Sequence, residues 1–131
     1  MKHLVLLGLG LFLGATVASI VLNALARRAA YARGVMQVMQ HEYGDLRSRL
    51  RDAHCTSIDA SATRTMLAQM TERIGAAEYG EARPAAPFRE YTDRLSAAVA
   101  ELPSQVAPCA AVAPIAAQVG DACDACHHQY R

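Results

Sequence analysis

The stretch Cys123-Asp124-Ala125-Cys126-His127-His128-Gln129-Tyr130-Arg131 decides how this chain is read. Within it, Cys123, Cys126 and His127 form C-x-x-C-H, the pattern of covalent c-type haem attachment. On a helix, Cys123 and Cys126 lie one turn apart on one face. Each thiol can then add to one of the two haem vinyl groups. His127, four residues after Cys123, shares that face and can place an imidazole nitrogen on the iron. The protein would supply position and electronics, and one haem c the redox chemistry. Two other readings compete. A dithiol redox motif ordinarily opens a helix just after a strand, where the helix dipole lowers the thiol pKa. Here the motif closes an alanine-rich stretch with no strand pattern before it. Structural zinc wants four ligands, commonly as two spaced pairs, and the remaining cysteines, Cys55 and Cys109, stand alone. His128 reads as a solvated neighbour of the ligand.

Working back from that stretch, apolar residues recur at helical spacings of three and four, and no alternating run reads as a strand. A last helix is expected from about Pro108 to Tyr130, with Pro108 in its first turn and Pro114 either its true first position or a kink. Phe88 to Leu102 is a second helix, with Phe88, Tyr91, Leu95, Ala98, Val99 and Leu102 apolar and Pro103 as its stop. Gly75, Gly80, Pro84 and Pro87 mark a loop before it. Ser57 or Asp59 caps a third helix, which runs to about Ala77 with Ile58, Ala62, Met66, Met70 and Ile74 on one stripe. His54-Cys55-Thr56-Ser57 reads as a turn. Arg27 to Asp52 is the first helix, with Val35, Met36, Val38, Met39, Tyr43, Leu46 and Leu50 apolar, and it can continue unbroken from the segment before it. Four helices with short connections predict an all-α chain, an antiparallel up-down-up-down four-helix bundle over residues 27–131.

Residues Leu4 to Ala26 carry no charge. As a signal peptide, Leu4 to Leu13 is the h-region and Ala24-Leu25-Ala26 a small-x-small cleavage site. As an anchor, the run exceeds the roughly 20 apolar residues that span a bilayer. Arginines directly after a cleavage site are unfavourable, while Arg27, Arg28 and Arg33 on the outer side offend the positive-inside tendency. The balance favours an uncleaved anchor over residues 1–26. Either way the remainder is exported, to the periplasmic side of the inner membrane, where disulfides persist. The chain has 131 residues and a formal net charge of +1, with no basic run, so nothing points to nucleic acid. Alanine richness, few aromatics and no tryptophan favour helices over a sheet.

These residues carry a resemblance. The chain is similar to the cytochrome c prime family, the class II c-type cytochromes, through Val119-Gly120-Asp121-Ala122-Cys123-Asp124-Ala125-Cys126-His127-His128-Gln129-Tyr130-Arg131. The family pattern there is V-G-x-x-C-x-x-C-H-x-x-[YF]-R. A looser match is Arg33-Gly34-Val35-Met36-Gln37-Val38-Met39-Gln40-His41-Glu42-Tyr43-Gly44. The resemblance implies a haem packed against the first and last helices, with Tyr130 beside it and the iron held proximally by His127. It places Met36 on the distal side of the iron, where a family subgroup carries a methionine and is six-coordinate and low-spin. Thioether sulfur is a good ligand for low-spin iron, and Met/His ligation raises the reduction potential. Met39, three residues on, is the other candidate, and both can equally be flexible core packing. Arg33 and Arg131 can each reach a haem propionate or remain solvated charges.

Two functions follow. A saturated iron carries electrons between redox partner proteins, whereas an open or methionine-displaceable position binds nitric oxide or carbon monoxide. A disulfide-stapled helical adaptor is a third reading, which C-x-x-C-H opposes. No acid/base constellation marks an enzyme; His41 and His54 are isolated. The expected contacts are redox proteins and the membrane through an uncleaved helix, and a homodimer stays open. Cys55 and Cys109 fall outside the resemblance. In an up-down-up-down bundle the first and third connections share an end. Met36 to Cys55 is roughly 25–29 Å along the first helix and Cys109 to His127 roughly 27 Å along the last. The two cysteines therefore reach one height at the end away from the haem and are expected to pair.

Overall fold

Four helices form where the three-and-four spacing predicts them. α1 spans Lys2–Leu50, α2 Ser61–Tyr79, α3 Ala86–Ala100 and α4 Cys109–Gln129, in a computed structural model that describes residues 2–79 and 86–130. Each helix packs against the next, and α4 returns against α1. One buried stripe per helix builds the core: Val35, Met39 and Leu46 from α1, Leu67 and Ile74 from α2, Phe88, Leu95 and Val99 from α3, and Val112, Ala116 and Val119 from α4. On α2 the stripe is turned from the expected one: Thr63 and Thr71 are buried with Leu67, while Ala62 is exposed and Met66 and Met70 are half-buried. Leu46, Leu67, Val99, Val112 and Val119 are fully buried. Each such aliphatic side chain contributes about 1.5–3 kcal/mol of transfer free energy.

α1 has 49 residues and no break at the Ala26–Arg27 boundary. At 1.5 Å per residue it is a rod of roughly 73 Å. Its first half exposes Leu6, Leu9, Phe12, Leu13, Val17, Ile20 and Leu25, and burial begins only at Val35. That half is long and apolar enough to cross a membrane or to serve as a signal sequence.

Several helix ends differ from expectation, each for a local reason. Ser57 is not the cap of α2. The Asp59 carboxylate accepts the Ser61 N–H at 2.9 Å, and hydrogen bonds from Ser61 hold its carboxyl below the ordinary pKa. Gly75 does not end α2, which runs through to Tyr79. Pro87 lies in the first turn of α3 rather than in the loop, a place where a missing N–H costs nothing. Gly80 and Pro84 lie outside the described residues. Pro114 sits inside α4. Its missing N–H frees the Ala110 carbonyl, and Ala110 is exposed, so water can satisfy it.

A short antiparallel ladder is the one β feature among the described residues. β1 (Ser57–Ile58) pairs with β2 (Ala107–Pro108), Ser57 opposite Pro108 and Ile58 opposite Ala107. The α1–α2 and α3–α4 connections thus share an end. Cys55 and Cys109 stand there at disulfide distance, with Cα atoms 6.0 Å apart. The Cys109 N–H donates to the Thr56 carbonyl at 3.2 Å. With the two cysteines 54 positions apart, the bridge would remove about 4 kcal/mol of unfolded-chain entropy. Replacing both with serine is expected to lower the unfolding free energy by that amount and the urea midpoint with it, at a somewhat larger m value because the unbridged unfolded chain exposes more surface. An unmoved midpoint would mean that the thiols do not pair.

Candidate functional site

The buried stripe of α4 steps through Cys109, Val112, Ala116 and Val119, and the same rhythm reaches Cys123 and Cys126. Both are free, half-buried and packed on the core. Their placement follows from the helical spacing rather than from any special loop. Cys109 meets Cys55, and Ala116 meets Tyr43. α4 therefore runs back along α1, and its cysteine end arrives at the level of Met36 and Met39. A cavity of about 410 Å³ opens between them, lined by Met36, Met39, Cys123, Cys126 and His127 together. That volume lies within the roughly 300–1,000 Å³ of small-molecule and cofactor sites. Leu67, Ile74, Phe88 and Leu95 supply apolar walls from α2 and α3. Met39 is buried, Met36 half-buried, and His127 exposed in the last turn of α4.

The donor set fits a haem. Two thiols lie one turn apart on α4, an imidazole follows, and two thioethers stand on α1. Burial pushes the Cys123 thiol up to about 11, with Asp124 and Cys126 adding to it, and burial also raises Cys126. A nucleophilic dithiol needs the opposite shift. Among the described residues no group of three or more His, Cys, Asp or Glu side chains is placed to hold a bare metal ion. His41 and His54 are exposed and do not line the cavity.

Tyr43 ties the two cavity-bearing helices together. Its hydroxyl donates to the Ala116 carbonyl of α4 at 2.9 Å. Burial raises the phenol pKa against the opposing pull of Arg47, so it stays protonated at neutral pH. The hydroxyl lies where a Cβ at position 120 would stand, so the seat requires Gly120. Beyond it, Tyr130 packs edge-on against Phe88 and Tyr91, with ring centroids 5.3 Å and 5.8 Å away. Phe88 and Tyr91 face the cavity and Tyr130 backs them.

Arg33, one turn before Met36, is exposed and is not among the cavity-lining residues. Arg131 lies outside the described residues. Two arginines that the sequence reading passed over do line the cavity, Arg47 and Arg51. The available signal was spacing: Tyr43, Arg47 and Arg51 follow at intervals of four on the helix that carries Met36 and Met39. No family model, curated protein or solved structure matches the chain.

Proposed function

We propose that this chain is a membrane-anchored c-type cytochrome that carries electrons on the periplasmic side of the inner membrane. The observation that carries this reading is the convergence of Cys123, Cys126, His127, Met36 and Met39 on one apolar-walled cavity. In it the four helices form an antiparallel up-down-up-down bundle, as in the methionine-ligated subgroup of the cytochrome c prime family. Bound there, a haem would supply reversible one-electron chemistry at iron. Cys123 and Cys126 would hold it through two thioether bonds, so it could not exchange. His127 would be the proximal ligand and Met36 the distal one. Met39, more deeply buried, packs beneath. Leu67, Ile74, Phe88 and Leu95 keep water from that face, which lowers the local dielectric and tunes the potential. Two protein ligands retained in both oxidation states suit exchange with redox proteins rather than catalysis.

Acid–acetone treatment of the detergent-solubilised protein, followed by absorption spectra in both oxidation states, tests the reading. The haem is expected to stay with the protein and to give a low-spin spectrum. A haem that extracts freely, or none at all, overturns it.

A further inference from the structure

The cavity has two chemically different ends. At one stand the thiols, thioethers and imidazole just described. At the other, the α1 wall carries Arg47 and Arg51. Met36 and Arg47 are eleven positions apart, roughly 16 Å along the helix. Between them, Tyr43 is pinned to the Ala116 carbonyl, and the Arg47 guanidinium lies 5.7 Å from the centre of the Tyr43 ring. Arg51 follows one turn later, and its N–H donates to the Arg47 carbonyl at 3.1 Å. The arginine between them is used differently. Arg49 turns outward, to the Asp45 carboxylate at 3.5 Å and the Asp59 carbonyl at 3.2 Å. The ion pairs among the described residues are Arg49–Asp45 and Arg94–Glu90, and neither involves Arg47 or Arg51. Asp124 also lines the cavity, but on α4 next to Cys123, at the thiol end.

We infer that Arg47 and Arg51, exposed where they line the cavity, form a carboxylate-binding site at its rim, and that they receive the two haem propionates. The inference rests on the haem reading above and adds the direction of the group within its cavity. On a haem the vinyl groups and the propionates occupy opposite edges. Fixing the vinyl edge to Cys123 and Cys126 therefore aims the carboxylates toward the opposite end of the cavity, where the two guanidinium groups stand. Guanidinium is the side chain suited to this task, since its planar fork pairs carboxylate oxygens two at a time. The Tyr43 ring holds one of the two in place before the partner arrives, which reduces the ordering that binding must supply. On this assignment the contact belongs to Arg47 and Arg51 and not to Arg33, which is not among the residues lining the cavity.

The test uses the full-length holoprotein and its resonance Raman spectrum, in which propionate bending reports hydrogen bonding to those carboxylates. Arg47→Gln is expected to shift the band, Arg47→Gln with Arg51→Gln to shift it further, and Arg47→Lys to recover part of the shift. Arg33→Gln is expected to leave it in place. Both glutamine variants should also lower the reduction potential, because a positive charge beside the group is lost. Circular dichroism and covalent haem content confirm that each variant is folded and loaded. A loaded native protein whose band ignores Arg47→Gln and the double variant, or answers to Arg33→Gln instead, overturns this inference and leaves the haem reading intact. A native protein with no covalent haem overturns both.

Discussion

Cys126→Ser is expected to convert permanently held haem into haem carried by a single thioether, and Cys123→Ser with Cys126→Ser to abolish covalent attachment altogether. The two thiols sit on the core-facing stripe of α4, half-buried and lining one cavity. No other free cysteine is found among the described residues, since Cys55 and Cys109 are engaged with each other at the far end. There is thus no substitute nucleophile within reach. Intact-mass measurement reads the outcome directly, as a mass lower by one haem in the double variant. The structural cost should be small. Serine is close to cysteine in size, and a hydroxyl at a half-buried site can keep a partner in water or the adjacent helix backbone. A double variant that still carries covalent haem would show that attachment lies elsewhere.

Met36→Leu is expected to turn a low-spin, six-coordinate iron into a high-spin, five-coordinate one that binds carbon monoxide faster. Leucine keeps nearly the volume of methionine and removes the sulfur, so packing is conserved to within about 1.5 kcal/mol. The reduction potential should fall, because methionine ligation raises it. Met39→Leu serves as the comparison. Met39 is 5% exposed and belongs to the core stripe with Val35 and Leu46, so its replacement should leave the spin state alone. Absorption spectra and carbon monoxide recombination distinguish the two. A Met36→Leu protein that stays low-spin would return Met36 to core packing. A native protein already high-spin would favour the gas-binding function over electron transfer.

Much of the molecule was legible because helical burial leaves a direct imprint on spacing. The stripe that reads Cys109, Val112, Ala116, Val119, Cys123, Cys126 is a three-and-four rhythm in the sequence and a buried face in the structure. The meeting of Cys55 and Cys109 followed from the expected order of helices, which puts the first and third connections at one end, together with helix length. What could not be read has physical causes as well. The Ser57–Ile58 and Ala107–Pro108 ladder is too short to leave an alternating pattern, and it forms because two connections are held side by side. Pro114 marks a break in most sequences, yet here an exposed face of α4 lets water replace the lost bond. Arg47 and Arg51 look like any charges on a solvated helix face. Only the return of α4 along α1 places a cavity beside those exposed charges. Gly120 is similar: its meaning lies in Tyr43, far away in the chain.

The unbroken passage of α1 from its apolar half into the core has a mechanical consequence for a protein held in a bilayer. Met36 lies ten residues beyond Ala26, roughly 15 Å higher along the same rod. A glycine–serine leash would let the domain sweep through a hemisphere, whereas a helix behaves as a semi-rigid spacer. With α1 kept as the proposed anchor, the domain would be a lantern on a mast, carried at a set elevation above the lipid. Its search for a counterpart would become lateral drift in two dimensions. Counterparts would then be selected by stature before any surface is compared: a protein whose own redox group stands at the same elevation would be met face to face, and one standing taller or shorter passed by.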